Sequence, residues 1–286
     1  MRIGAHVSAA GGVDKAVDRA QEMGAECLQL FAGGGPQSWR FTHPGESACH
    51  AFREKGRQTG IGPNFMHGIY LINLGTPDPS LLAKSVDALA QALNLAADLG
   101  IAGVIFHLGS HKGVGKEAVF RQVVDAILRV LERSKEGPWL VLENSAGMGQ
   151  HIGSSFEELG RIRKAVGSPR VKICLDTQHC WSAGYNMATP DGLNRTMEEF
   201  EREIGLEHLV AVHANDSKVP LGSGVDRHEN IGDGLIGEKG FATILAHPAF
   251  RDVPFILEVP GPDGKGPDRT QVERLKAIRA QVGVHP

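Results

Sequence analysis

Short apolar segments alternate with longer amphipathic segments along the whole chain. Because a short apolar segment bounded by polar residues is typical of a buried strand, we interpret these segments as strands. The pattern predicts eight of them, at Arg2–His6, Glu26–Phe31, Gly62–His67, Gly103–His107, Trp139–Glu143, Val171–Asp176, Leu209–His213 and Pro254–Glu258.

The segments between these strands have the spacing of helices. In one of them, Val119, Val123 and Ile127 fall on a single face. Ser154 and Ser155 are suitable N-caps for the helix that follows them. The pattern predicts helices at Val13–Met23, Gly45–Thr59, Pro79–Leu99, Lys116–Glu136, Ser155–Val166, Gly192–Ile204, Glu238–Ala246 and Arg269–Gln281.

Strict alternation of strands and helices indicates a parallel sheet with right-handed crossovers. Eight such units close into a barrel more readily than they form an open sheet, and about 250 residues is a usual length for that fold. The chain has 286 residues, 41% of them hydrophobic, and no low-complexity linker. We therefore predict an α/β fold, a single-domain (β/α)₈ TIM barrel over residues 1–286.

Six consecutive predicted strands end on a residue type that binds metals, and in a barrel these ends meet on one face. A single such residue is usually a hydrogen-bonded core group, but six together would repel one another and lose hydration unless metal ions compensate them. Three more ligand types follow in the loops. The full set is His67, His107, Glu143, Asp176, His179, His213, Asp226, His228 and Glu258.

Nine ligands exceed the needs of one zinc ion, which takes about three or four protein ligands. They suit two or three ions with a bridging carboxylate, an arrangement typical of phosphoryl transfer. Among the other histidines, His6 and His111 could also line the site. The remaining ones, including His151, are expected on the surface or in structural roles.

Composition narrows the function classes further. The net charge is −3, so nucleic-acid binding would need a local basic patch. Cys27, Cys49, Cys174 and Cys180 form no CxxC pair, which favours buried free thiols in a reducing cytosol. No signal peptide precedes the first strand, and no apolar segment is long enough to cross a bilayer. We expect a cytoplasmic monomer without a membrane partner.

At this point the motifs match a family. The chain resembles endonuclease IV, the metal-dependent apurinic/apyrimidinic endonucleases of DNA base-excision repair, over essentially its whole length. The resemblance depends on IGAHVS at 3–8, HGIYLINL at 67–74, HLGSH at 107–111, LENSAG at 142–147, CLDTQH at 174–179, HANDSK at 213–218, VDRH at 225–228 and ILE at 256–258.

The resemblance implies three zinc ions, with manganese as an alternative in part of the site. It assigns His67, His107 and Glu143 to the first ion. It assigns Glu143, Asp176, His213 and Glu258 to the second, and His179, Asp226 and His228 to the third. Glu143 would bridge two ions, and Glu258 would also help to orient the nucleophile. The implied substrate is double-stranded DNA with an abasic site, cut on its 5′ side to leave a 3′-hydroxyl and a 5′-deoxyribose phosphate.

The family flips the abasic nucleotide out of the duplex, and Tyr70 and Leu71 match the side chains that fill the gap. Lys112, Lys218 and Arg227 lie in loops on the same face and could contact phosphates. The loop Ala32–Arg40 departs from the family, because Gln37 stands where a basic residue is expected, although Arg40 remains.

Two rival functions stay open. A sugar isomerase or epimerase also uses a metal-bearing barrel, but it would not need the additional set His179, Asp226 and His228. A non-catalytic metal-binding or DNA-binding scaffold is the second rival, and the presence of all nine ligand types argues against it.

Overall fold

Eight parallel strands close into a barrel in the computed structural model, which describes residues 1–31 and 33–285. A separate two-stranded ribbon of β8 (Asp216–Ser217) and β9 (His228–Glu229) follows the seventh barrel strand. The barrel strands are β1 (Ile3–His6), β2 (Leu28–Phe31), β3 (Phe65–His67), β4 (Gly103–His107), β5 (Trp139–Glu143), β6 (Val171–Asp176), β7 (Leu209–Ala214) and β10 (Phe255–Leu257). Each pairs with the next barrel strand along the chain, and β1 pairs with β10 to close the cylinder. The predicted (β/α)₈ barrel is confirmed.

Helices surround the barrel, and their positions agree closely with the sequence pattern. Ser155 caps α5 as predicted, since its side chain accepts a hydrogen bond from the Glu158 amide at 3.2 Å. The helices are α1 (Asp14–Glu22), α2 (Glu46–Thr59), α3 (Pro79–Leu99), α4 (Lys116–Glu132), α5 (Phe156–Val166), α6 (Thr177–Ala183), α7 (Pro190–Glu203), α8 (Gly237–Ala246) and α9 (Arg269–Gln281).

The prediction of strict alternation is wrong at two places: the helices α6 and α7 both lie between β6 and β7, and the β8–β9 ribbon lies between β7 and α8. The sequence predicts that Asp176 ends the strand and that His179 follows in a loop. Asp176 instead acts as the N-cap of α6, accepting a hydrogen bond from the His179 amide at 2.8 Å. A side-chain cap of this kind satisfies an otherwise free amide and starts a helix directly at the end of a strand.

The inside of the barrel explains why the strand-end side chains converge. Side chains two residues apart along a strand point to the same side. An inner cluster of buried side chains fills the barrel. Six of its members lie two residues before a predicted ligand: Phe65, Ile105, Val141, Cys174, Ala211 and Ile256 precede His67, His107, Glu143, Asp176, His213 and Glu258. The ligand residues therefore form the polar top layer of this apolar filling.

Asp216 organises the long segment between β7 and α8. Its buried carboxylate accepts hydrogen bonds from the backbone amides of Ser217, Gly232, Gly234 and Ile236, at 2.7 to 3.1 Å. Burial raises the pKa of the Asp216 carboxyl, and these amides oppose that shift. The segment containing Asp226 and His228 is thus anchored at both ends.

All four cysteines are free and buried, as the sequence predicts. No helix within residues 1–31 and 33–285 is long and apolar enough to span a membrane.

Candidate metal centre

Glu143 lies at the middle of the converging side chains and is only 1% exposed. Its Oε2 atom is 3.1 Å from Nε2 of His67 and 3.5 Å from Nε2 of His107. Its Oε1 atom is 3.0 Å from Nδ1 of His213 and 3.3 Å from Nδ1 of His179. One buried carboxylate therefore faces a pair of imidazoles on each side.

Three groups of side chains in the described residues could each hold a metal ion, with donor atoms within 4.8 Å of one another. The first is His67, His107 and Glu143, and the second is Glu143, Asp176, His213 and Glu258. Both coincide with the sets that the family resemblance implies. Glu143 and Asp176 each belong to two groups, as expected of carboxylates in a centre with several ions.

The third group differs slightly from the expected set. The donors closest together are those of Asp176, His179 and His228. The Asp226 carboxylate lies at the open side of this group, 3.4 Å from Nε2 of His179 and 3.3 Å from Nε2 of His228, with its side chain 44% exposed. The structure thus brings all nine predicted ligands together, and their individual roles stay predictions.

The histidine rings are oriented as metal ligands would be. Nδ1 of His67 lies 2.7 Å from the Gly68 carbonyl oxygen, and Nδ1 of His179 lies 2.9 Å from that of Asn144. Because a carbonyl oxygen can only accept, each Nδ1 carries a hydrogen, and Nε2 is the nitrogen that would give up its proton to bind a metal ion. The buried Nε2 of His228 has no hydrogen-bond partner among the residues described. Imidazole and carboxylate donors of this kind fit zinc or manganese.

The charges in the cluster depend on one another. Burial alone would raise the pKa of Glu143, but His107 and His213 outweigh it and hold that pKa well below its usual range. Burial opposes a charge on His179, yet Asp176 and neighbouring hydrogen bonds raise its pKa well above the ordinary value. Burial lowers the pKa of His107 to about 4. Protons on imidazoles whose pKa is raised, such as His179, therefore balance the carboxylates, and metal ions would replace those protons.

A cleft of about 510 Å³ opens above the cluster. His67, His107, His179 and Glu258 line its floor, while Glu143 lies buried beneath it. A cleft at the carboxyl ends of barrel strands is where barrel enzymes place their chemistry.

Tyr70 stands at the rim of this cleft with 57% of its surface exposed. Its ring meets Phe31 edge-on at 5.3 Å and His67 at 5.7 Å between ring centroids. Its backbone amide donates to the Pro36 carbonyl at 2.8 Å, which joins it to the loop after β2. Leu71, its neighbour, also lines the cleft. Both side chains are available to a ligand in the cleft.

The three basic side chains predicted to contact phosphates differ in their position relative to the cleft. Lys112 lines the cleft, with its backbone in the left-handed region at φ 49°. Lys218 lies 3.7 Å from the Glu229 carboxylate, and the Arg227 guanidinium donates to the Asp226 carbonyl at 2.7 Å. Neither of these two lines the cleft.

Arg40 is exposed and lines a separate small pocket beside Trp39 and Ile69. Gln37 is exposed in the same loop, whose first residue, Ala32, lies outside the described residues. The DNA contacts proposed for all these side chains stay predictions.

Three histidines that are not among the nine predicted ligands lie in or beside the loops of this face. His6 borders the cluster, with Nδ1 3.8 Å from Oε1 of Glu258. His111 is structural, because its Nδ1 accepts from the Gly113 and Gly115 amides at 3.2 Å. The expectation for His151 was wrong, because this side chain lines the cleft. An antiparallel bridge between Ser110 and His151 folds the loop after β5 against the loop after β4.

Sequence reasoning missed three amide side chains that hold the ligands. Asn144 Oδ1 accepts from the Asp176 amide at 2.7 Å. Asn215 donates to Asp176 Oδ2 at 2.7 Å and accepts from the Glu258 amide at 3.0 Å. Asn144 directly follows the predicted ligand Glu143, and Asn215 lies two residues after His213. Their positions beside predicted ligands could have identified both in the sequence. Gln29 is the third, a fully buried polar residue within an apolar strand.

Comparison with known proteins places the chain in a family. A family model described as xylose isomerase-like TIM barrel matches residues 17–281. "Probable endonuclease 4" of Natronomonas pharaonis is 40% identical over 267 residues, which cover 93% of this chain and 94% of that protein. The crystal structure of endonuclease IV from Thermus thermophilus is 36% identical with a TM-score of 0.85, covering 98% of both chains.

More distant structures share the fold alone. A D-tagatose 3-epimerase-like protein is 19% identical with a TM-score of 0.70, covering 99% of this chain and 97% of its own. The high identity over nearly the full length of both chains lies with the endonucleases. The chain therefore belongs to the endonuclease IV family, a family of nucleases.

Proposed function

We propose that this protein hydrolyses the phosphodiester on the 5′ side of an abasic site in double-stranded DNA, leaving a 3′-hydroxyl and a 5′-deoxyribose phosphate. The observation that carries the proposal is the position of Glu143. Its Oε2 faces His67 at 3.1 Å, and its Oε1 faces His213 at 3.0 Å, so two donor groups share one carboxylate. Such sharing is typical of metal-assisted phosphoryl transfer.

Three zinc ions, with manganese in part, would be held by the three donor groups, Asp226 completing the third. When bound, such ions lower the pKa of a coordinated water and stabilise charge on phosphate oxygens. Glu258 reaches both the cluster and the cleft, since its Oε2 lies 3.3 Å from Nδ1 of His213 and it lines the cleft floor. It is placed to orient the attacking water. Water adds to phosphorus, the bond to the 3′-oxygen breaks, and that oxygen leaves with a proton.

Selection of the abasic site would depend on the rim of the cleft. A nucleotide must leave the base stack to bring its phosphate to the floor, and a missing base lowers the unstacking cost. The exposed ring of Tyr70, beside Leu71, can occupy the space that the flipped sugar leaves. Lys112 at the same rim offers a cation to a neighbouring phosphate.

The alternative is sugar isomerisation, which the description of the matching family model also covers. An isomerase needs one or two ions and a group that acts on carbon. The additional pair His179 and His228, with Asp226 at 3.4 and 3.3 Å from them, would then have no use. This third group favours the nuclease.

The decisive test uses a duplex carrying one tetrahydrofuran abasic analogue, which cannot break by β-elimination. Incubation with zinc-loaded protein should cut the strand once, on the 5′ side, and a DNA polymerase should extend the new 3′-end. The same duplex without the analogue and a chelated sample serve as controls. A strand that stays intact, together with conversion of D-tagatose or D-xylose, would support the isomerase instead.

A further inference from the structure

Gln29 is a fully buried glutamine in the middle of β2, and none of the proposed roles uses it. Its side chain touches three polar groups of the site. The amide nitrogen donates to Oε1 of Glu258 and lies 3.0 Å from Nδ1 of His6. The amide oxygen lies 2.9 Å from Nε2 of His213.

The chemistry of these partners fixes the orientation of the amide. An ionised carboxylate such as Glu258 has no hydrogen to give, so the atom that faces it must be the amide nitrogen of Gln29. The amide oxygen then faces His213. Because a carbonyl oxygen can only accept, Nε2 of His213 must carry a hydrogen.

This leaves Nδ1 of His213 as the nitrogen that can release its proton. Nδ1 points into the second donor group, 3.0 Å from Oε1 of Glu143 and 3.3 Å from Oε2 of Glu258. The same glutamine holds the other oxygen of Glu258, so Oε2 is the one that remains directed at the group.

We propose that Gln29 is a positioning residue of the metal centre: it holds the proton of His213 on Nε2, and it directs Nδ1 of His213 and Oε2 of Glu258 at one ion. The inference rests on the proposed metal centre but not on the identity of the DNA substrate. Gln29 touches neither the cleft nor the reacting atoms, so it acts through these two ligands.

The position explains why a side-chain amide is needed here. His67 and His179 bond their outer nitrogens to backbone carbonyls in loops. The outer nitrogen of His213 points toward β2, which pairs with β1 and β3, so its backbone groups are engaged in the sheet. A glutamine supplies an acceptor for His213 and a donor for Glu258 at once. Methionine of similar size supplies neither, and glutamate supplies only the acceptor.

The test compares Gln29→Met with Gln122→Met in the zinc-loaded full-length protein. Gln122 is a matched control, because its side chain donates two hydrogen bonds at 2.8 Å, to the Leu74 and Thr76 carbonyls, outside the cluster. Two quantities are measured: the rate of zinc transfer to a chelator, and the ¹H–¹⁵N signals of the histidine rings. Loss of a hydrogen-bond partner of a metal ligand typically weakens metal affinity by about 10- to 100-fold.

We expect Gln29→Met to release one class of zinc ions about 10- to 100-fold faster than wild type and to lose the protected Nε2–H signal of His213. Gln122→Met should behave as wild type in both measurements. Gln29→Glu covers the case that the methionine variant fails to fold: it should keep the Nε2–H signal and still release zinc faster.

Unchanged zinc release and an unchanged His213 signal in the folded Gln29 variants would overturn the positioning role and leave the nuclease proposal intact. A wild-type protein that binds no zinc would instead overturn the proposed metal centre, and this inference with it.

Discussion

Replacing Glu143 by glutamine keeps the shape of the side chain and removes one negative charge from the point that two donor groups share. The carboxylate oxygens lie 3.0 to 3.5 Å from four imidazole nitrogens, so any ion held by those rings is also close to this charge. Two unit charges about 4 Å apart interact by about 4 kcal/mol at an effective dielectric constant of about 20. Because zinc carries two positive charges and about 1.4 kcal/mol corresponds to tenfold in affinity, we expect zinc to bind at least about 10³-fold more weakly.

Zinc counting and thermal unfolding together measure this effect. After equilibration in buffered zinc, elemental mass spectrometry should find fewer ions per chain in Glu143→Gln than in wild type. Ligand binding stabilises the native state in proportion to the logarithm of the binding constant, so a 10³-fold loss removes about 4 kcal/mol of zinc-dependent stabilisation. For a chain of this size that corresponds to a Tm difference of roughly 10 °C.

Glu199→Gln is the matched control, because Glu199 is a half-buried carboxylate that accepts one hydrogen bond from the Tyr185 hydroxyl, at 2.9 Å, away from the cluster. It should keep the zinc content and the zinc-dependent gain in Tm. If Glu143→Gln binds as many ions as wild type with equal affinity, Glu143 is not shared between ions. If its zinc-free Tm falls as far as its zinc-loaded Tm, the carboxylate serves folding and not metal binding.

Individual side chains give four further predictions. Glu258→Gln should keep the fold but slow cleavage by about 10²-fold or more, measured in single turnover at saturating zinc; a near-wild-type rate in the fully metallated variant would remove its role at the nucleophile. Tyr70→Ala should reduce the preference for abasic over intact duplex, because stacking on a base contributes roughly 1–3 kcal/mol; an unchanged affinity ratio in binding titrations would reject it as the wedge. Gln37→Arg should tighten DNA binding and steepen its salt dependence by about one phosphate contact, and an equal slope would mean that this loop does not reach DNA. Burial opposes ionisation of Glu26, but the hydrogen bonds from Arg279 outweigh burial and lower the pKa of the Glu26 carboxyl. The pair therefore stabilises the fold above the unfolded pKa of about 4.3, and this stability is lost as the pH falls through the folded pKa. Arg279→Met should therefore cost about 2 kcal/mol at pH 7 and much less at pH 3 in urea titrations, and an equal cost at both pH values would contradict the pairing.

The barrel could be predicted from the sequence because its strands and helices have clearly different patterns of apolar residues. Apolar segments of strand length and amphipathic segments of helix length each carry their own signal, and closure follows from their number. The strand-end ligands were recognisable for a related reason. Residues such as His107 and Glu143 end an apolar segment abruptly, and neighbouring strands pair in a register that places these two opposite each other.

What the sequence did not reveal depends on contacts between distant segments. Gln29 is 184 residues from His213 and 229 from Glu258, and no local pattern marks a polar residue in a strand as a partner of both. His151 lines the cleft, and its loop bridges to Ser110, which is 41 residues earlier in the chain. Helix α6 was missed because Asp176 has two roles, as N-cap through Oδ1 and as a member of the cluster through Oδ2.

The second donor group depends on strands β10, β1 and β2, and the first and last described segments of the chain meet at these same strands. Strand β10, which precedes Glu258, pairs with β1, and β1 pairs with β2, which carries Gln29. Below this seam, Arg279 near the C-terminus donates to the Met1 carbonyl at 2.8 Å and binds the Glu26 carboxylate, which in turn accepts from the Ile3 amide at 2.8 Å. Because side chains on these strands hold one another in place, loosening the seam would displace Glu258 and Gln29 together. The strands that close the barrel therefore also determine the geometry of the second donor group.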